Sequence, residues 1–246
     1  MRYVRRIALI LTIALPAHPT FAKATAGKAQ EPVLPVPPNV KAEGVPPIPL
    51  QLADAVARYG EFRSADLLDW HPVERRMLVS TAFGNVPQIH DVRGPGAART
   101  QLTFYRDGVT GGAWFAPSGR YFVFRKDTSG GGEAQQLFRF DLATGAATLL
   151  TDGTSRNGAP AFANKRGLIA YESTRRDGRN RDLFIMNPED PSTDRMLAQL
   201  EGTWEVLDWS PDDRELLVLE SVSSSSETYL WRVDATSGVK TAVTAR

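Results

Sequence analysis

The residues able to do covalent or acid–base chemistry are few. The chain of 246 residues holds three histidines, His18, His71 and His90, and no cysteine. A serine nucleophile on a strained strand-to-helix turn follows the pattern G-x-S-x-G. The nearest run, Gly153-Thr154-Ser155-Arg156-Asn157, lacks the second glycine and lies in a polar stretch between apolar runs, so it reads as a turn. His18 falls in an N-terminal leader. His71 takes the turn position that Ser210 fills in a later repeat, and His90 stands in a strand where Phe140 and Met186 occupy similar places. The first reads as a turn residue and the second as packing, which leaves no histidine for a Ser-His-Asp site.

Metals and phosphates fare no better. A zinc site needs three or four ligands of suitable type, and no His/Cys cluster has that spacing. Asp208, Asp212 and Asp213 do not follow the spacing of a calcium loop. Ser129-Gly130-Gly131-Gly132 is glycine-rich, but no helix follows to present amide groups to a phosphate. Ser223-Ser224-Ser225-Ser226 reads as a polar hairpin. The expectation is a chain with no catalytic residue, no metal site and no cofactor-binding site of its own.

What these residues are mounted on begins after a leader. Arg2, Arg5 and Arg6 precede the apolar run Ile7–Leu15, then Pro16, Pro19 and small Ala22. That order is the pattern of a secretory signal peptide over residues 1–22. The run of nine residues is short of the about 20 needed to span a bilayer. Cleavage is expected after Ala22, with Ala26 as the alternative, and the product is expected to be exported, periplasmic or secreted. The whole chain carries 29 basic and 28 acidic residues; with the three leader arginines removed it carries 26 and 28. This balance excludes an electrostatic case for nucleic acid or an anionic membrane surface. Arg175, Arg176, Arg179 and Arg181 cluster, but Asp177 and Asp182 interleave with them, so they read as a solvated hairpin. Without disulfides, the exported body must be held by its core.

Residues 23–49 read as a linker. Glu31 to Pro49 contains seven prolines, a composition expected to be extended. Residues 50–63 read as one short helix, with Leu52, Val56 and Tyr59 on one face and Gly60 near its end.

From residue 65 the chain repeats. The openings are Leu67-Leu68-Asp69-Trp70-His71-Pro72, Ala113-Trp114-Phe115-Ala116-Pro117, Ala159-Pro160-Ala161-Phe162-Ala163-Asn164 and Val206-Leu207-Asp208-Trp209-Ser210-Pro211. The anchors Trp70, Phe115, Phe162 and Trp209 are 45, 47 and 47 residues apart. A tight turn follows each anchor. A second strand comes next, apolar throughout in Tyr121–Phe124, Leu168–Tyr171 and Leu216–Leu219, which predicts burial on both faces. A third strand and a short outer strand complete each unit. Four strands per unit at this period predict an all-β propeller of four four-stranded blades, with approximate bounds 65–107, 108–156, 157–201 and 202–246. The first strand of each blade is expected to line the channel.

The third unit, Ala161 to Met186, resembles a TolB-type propeller repeat. The fourth, with Gly202–Asp213, Glu220-Ser221-Val222-Ser223 and Thr228-Tyr229-Leu230-Trp231, resembles the propeller of exported peptidases of the prolyl oligopeptidase family, relatives of acylaminoacyl and dipeptidyl peptidases. The resemblance covers roughly residues 50–246. It implies a propeller, commonly of about seven blades, in front of an α/β-hydrolase domain carrying Ser, Asp and His. The propeller would restrict access to peptides. The four blades are therefore expected to belong to a larger ring, with the remaining blades and the hydrolase domain as missing partners and a peptide or protein as ligand at the channel. No catalytic motif of that family has a counterpart here. The alternative is a stand-alone TolB-like periplasmic module that binds a protein or peptide. After signal cleavage no membrane association is expected.

Overall fold

The computed structural model describes residues 31–60, 63–222 and 227–244. The leader, Phe62 and the four serines 223–226 lie outside the described residues. Two compact units divide between Phe62 and Arg63.

In the first unit the proline-rich segment doubles back on itself, which differs from the extended linker expected. Val33 bridges Pro49. The Leu34 N–H donates to Ile48 O at 2.8 Å and the Leu50 N–H to Pro32 O at 2.7 Å. Proline removes a donor but keeps its carbonyl, so Pro32 closes this loop as an acceptor. Helix α1 follows, Leu50–Gly60. Its face of Leu52, Val56 and Tyr59 is exposed.

The second unit consists of four antiparallel sheets, each built from four consecutive strands in sequence order. Blade 1 is β1 (Asp66–Trp70), β2 (Met77–Thr81), β3 (Gln88–Val92) and β4 (Arg99–Gln101). Blade 2 is β5 (Ala113–Phe115), β6 (Tyr121–Asp127), β7 (Gln135–Asp141) and β8 (Ala147–Leu149). Blade 3 is β9 (Ala161–Phe162), β10 (Ile169–Ser173), β11 (Asp182–Asn187) and β12 (Asp190–Ala198). Blade 4 is β13 (Thr203–Trp209), β14 (Glu215–Ser221), β15 (Thr228–Asp234) and β16 (Lys240–Ala242). Strand β9 is two residues long, directly after Pro160, which has no N–H to give to a ladder. Strand β12 runs longer than the Leu197–Gln199 stretch expected, because a two-residue turn pairs Asn187 with Asp190 and register shifts keep the ladder going.

Among the described residues, three apolar clusters hold the sheets, and each joins successive blades. Leu78 and Ile89 of blade 1 meet Ala113, Phe115, Phe122 and Phe124 of blade 2. Tyr121, Val123 and Leu137 of blade 2 meet Ile169, Tyr171, Phe184 and Met186 of blade 3. Ala170, Leu183 and Ile185 of blade 3 meet Trp204, Val206, Trp209 and Leu216 of blade 4. Burying such side chains contributes about 1.5–3 kcal/mol each. A closed ring of four blades requires a fourth cluster, between blade 4 and blade 1. None of the three makes that join.

The middle strands record the same fact. Every residue of β10 is buried, as are the first four of β6. In β14, Leu216 and Val218 are buried while Leu217 and Leu219 are half-buried. The run Leu216–Leu219 is apolar throughout, as in the inner blades, but among the described residues no sheet covers one of its faces.

Candidate functional site

The residues that clasp one blade to the next stand at the turns after the anchors and on the first two strands. His71 accepts the N–H groups of Val73 and Glu74 on Nδ1, at 3.2 and 2.9 Å. The proton therefore sits on Nε2, which donates to Gly119 O in blade 2 at 3.0 Å. The ring also meets Phe115 edge-on at 4.8 Å. Ser210 performs the turn half of this job in blade 4, where its hydroxyl oxygen accepts the N–H of Arg214 and Glu215. Asp69 accepts its neighbour Trp70 N–H on one oxygen and the Phe115 N–H of blade 2 on the other, each at 2.8 Å.

Between blades 3 and 4, Asp213 accepts the N–H groups of Asn164, Lys165 and Arg166, at 2.7, 2.7 and 3.1 Å. Burial works against the charge, but these donors and the Asn164 side chain hold the carboxyl below its usual range. Trp209 Nε1 donates to Ala161 O at 2.9 Å. Glu172, buried in β10, accepts from Val206 N at 3.3 Å and from Arg181 at 3.2 Å. Burial pushes its carboxyl up from 4.5 to about 7, against the lowering effect of those partners.

A recess of about 610 Å³ opens at the turn end of blades 1 to 3, lined in part by His71, Arg76, Arg120, Tyr121, Arg139 and Glu189. Arg120 pairs with Glu189 at 2.7 Å. Arg139 lies 5.8 Å over the Tyr121 ring; its NH1 donates to Pro188 O, while its buried Nε has no acceptor among the described residues. Burial, and then Glu189, push the Tyr121 hydroxyl up to about 12. These groups can orient a polar chain by hydrogen bonds and charge, and none of them forms a nucleophile–base pair.

The residues singled out in the sequence are not brought together. Ser155 lies in a turn where the Asp152 carboxylate accepts its hydroxyl and backbone N–H. His90 is fully buried in β3, edge-on to Phe83 at 5.1 Å, with Nδ1 3.0 Å from Gln88 O. Asp212 faces Ser210, while Asp213 faces blade 3. Ser129 and Gly131 turn their N–H groups onto the Asp127 carboxylate, which occupies the glycine-rich loop from within. Among the described residues no group of three His, Cys, Asp or Glu is placed to hold a metal, and no helix is long and apolar enough to cross a membrane.

The arginine cluster differs from the solvated hairpin expected. Arg175 pairs with Asp194 at 2.6 Å and donates to the Tyr171 hydroxyl. Arg176 forks onto Asp182 and reaches Leu200 O. Arg181 pairs with Glu172. Three of the four arginines thus fold back onto buried or half-buried acceptors.

Sequence reasoning also missed a repeated polar lock. Gln88 Oε1 accepts the Thr103 hydroxyl and the Tyr105 N–H, and Thr103 Oγ1 in turn accepts the Ile89 N–H. Gln136, Thr151, Gly153 and Leu137 repeat this arrangement in blade 2. The signal was available: Gln88 and Gln136 are 48 residues apart, as are Thr103 and Thr151.

No protein-family model matches the sequence, and no curated protein matches it. Solved structures do match in fold. TolB from Acinetobacter baumannii is 15% identical with a TM-score of 0.56, over 74% of this chain and 43% of that one. A structure from a study of two prolyl endopeptidases is 14% identical with a TM-score of 0.58, over 78% and 31%. The tricorn protease is 13% identical with a TM-score of 0.58, over 73% and 22%. The chain spans less than half the length of each of these neighbours. At such identity the likeness shows the fold, a β-propeller of the kind found in TolB and in these peptidases.

Proposed function

We propose that these four blades are the non-catalytic propeller portion of an exported serine peptidase of the prolyl oligopeptidase family. In that reading the propeller admits peptide-sized chains to a hydrolase domain that supplies the serine nucleophile. The observation that supports it is the uncovered face of blade 4, which suits an arc within a larger ring. The neighbours named for prolyl endopeptidases and for the tricorn protease are likewise much longer chains. The purified chain should remain unlabelled by a serine-directed fluorophosphonate; stoichiometric labelling would overturn the reading.

The likeness to TolB favours a second reading, a periplasmic module that binds a protein or peptide without a hydrolase partner. DNA downstream of codon 246 separates the two. A continuation encoding G-x-S-x-G supports the peptidase, and an unrelated gene supports the module.

A further inference from the structure

Blade 1 shows how this chain attaches one blade to the next. Leu68 and Leu102 pack against the cluster that holds Leu78 and Ile89 to blade 2. Asp69 adds a polar clasp, the 2.8 Å bond from the Phe115 N–H. The whole set recurs on the outward face of blade 4.

The ladders fix the correspondence. In blade 1 the register shifts between Leu67 and Asp69, and Asp69 pairs with Leu78. In blade 4 it shifts between Val206 and Asp208, and Asp208 pairs with Leu217. Leu102 N–H donates to Ile89 O, as Val243 N–H donates to Leu230 O. Thr103 caps the Ile89 N–H, as Thr244 caps that of Leu230. Thus Leu68, Asp69, Leu78, Ile89 and Leu102 correspond to Leu207, Asp208, Leu217, Leu230 and Val243.

The two sets differ in what covers them. Leu78 and Ile89 are fully buried where their counterparts Leu217 and Leu230 are half-buried, and Leu68 and Leu102 are half-buried where Leu207 is 40% exposed and Val243 50% exposed. Asp208 repeats the local half of the clasp, accepting the Trp209 N–H on Oδ1 at 2.8 Å. It is exposed, and its second oxygen has no hydrogen-bond partner among the described residues.

We propose that the outward face of blade 4 is the seat of a fifth blade, attached as blade 2 is attached to blade 1. The Asp208 Oδ2 receives the N–H of that blade's anchor residue. The inference rests on the reading of these blades as an arc of a larger ring.

The occupant is a further blade, and blade 1 of a second copy does not meet the requirement. Phe115 can give its N–H to Asp69 because Trp114, not an aspartate, precedes it. In blade 1 the Trp70 N–H is already held by its own Asp69. The seat therefore suits a blade whose anchor follows a residue other than aspartate, so that its N–H is unclaimed.

The chain has no cysteine, so Leu207→Cys places a single thiol in the seat. The probe is the full chain carrying an appended copy of residues 108–156, the blade that meets Asp69. Thiol labelling at position 207 should slow by about tenfold or more in the extended chain. Adding Asp208→Asn should raise the labelling rate again and lower the melting temperature of the extended chain, while leaving that of the original chain unchanged. Equal labelling with and without the appended blade would overturn the proposal. Labelling that slows with concentration in the original chain would also overturn it, by showing a second copy in the seat. Labelling of a serine by fluorophosphonate would instead strike the gating reading and leave the seat untouched.

Discussion

The His71 Nε2–H points at the Gly119 carbonyl across the boundary between blades 1 and 2, at 3.0 Å. Gly119 has φ of +69°, and a Cβ there would lie 2.4 Å from the His71 ring. The left-handed backbone and the close approach both require glycine. Gly119→Ala should destabilise the chain by about 1–3 kcal/mol, read as a lower denaturant midpoint. His71→Ser keeps the cap that Ser210 provides in blade 4 and loses the cross-blade bond. Its loss should be the smaller of the two, at about 0.5–1.5 kcal/mol.

Glu172 makes the stability of the join between blades 3 and 4 depend on pH. Its carboxyl is raised from 4.5 to about 7, chiefly by burial. The folded state therefore holds this proton more tightly than the unfolded chain. The contribution of the group is fully present below about pH 4.5 and is lost as pH rises toward 7. A gap of this size is worth a few kcal/mol at most. Glu172→Gln keeps an acceptor for Val206 N and removes the charge. Its melting temperature, taken relative to the parent protein, should rise between pH 5 and pH 8. A constant difference across that range would show that Glu172 does not titrate there.

The anchors Phe115 and Trp209 and the apolar run Tyr121–Phe124 were legible because burial acts on side-chain type, whereas the anchor Trp70 of blade 1 is 60% exposed and owes its place to the repeat alone. The clasps were not legible for a matching reason. The partner of Asp69 is a backbone N–H 46 residues away, a group that every residue but proline offers. The arginines of residues 175–181 looked solvated because their acceptors Asp194 and Leu200 O arrive only once β12 has formed. The spacing of Leu52, Val56 and Tyr59 placed them on one face of α1, but periodicity states which side is apolar and not what lies against it.

Asp213 is the polar centre of the join between blades 3 and 4. It adopts φ of +58°, which non-glycine residues rarely do, although aspartate and asparagine visit this region more than most. There its carboxylate collects three backbone N–H groups of the turn after Phe162. Asp213→Ala keeps the strained backbone and leaves these donors without their acceptor. The expected loss is about 1.5–3 kcal/mol, seen as a lower melting temperature. Asp213→Gly relieves the backbone but also removes the acceptor, so it should lose less than Asp213→Ala. The reverse order would show that the strain is negligible.

Gln136 offers the cleanest test of the repeated lock. Its Oε1 accepts the Thr151 hydroxyl at 2.6 Å and the Gly153 N–H at 2.9 Å, and its Nε2 donates to Ser155 O. It is fully buried, so water does not replace these partners without opening the sheet edge. Gln136→Leu fills the same volume and strands a hydroxyl, an N–H and a carbonyl, at about 1–3 kcal/mol. Thr151→Val removes the hydroxyl that links Gln136 to the Leu137 N–H and should cost part of the same energy. The two residues act through one bond, so the double variant should lose less than the sum of the single losses. Strictly additive losses in chemical denaturation would mean that Gln136 and Thr151 hold the outer strand independently.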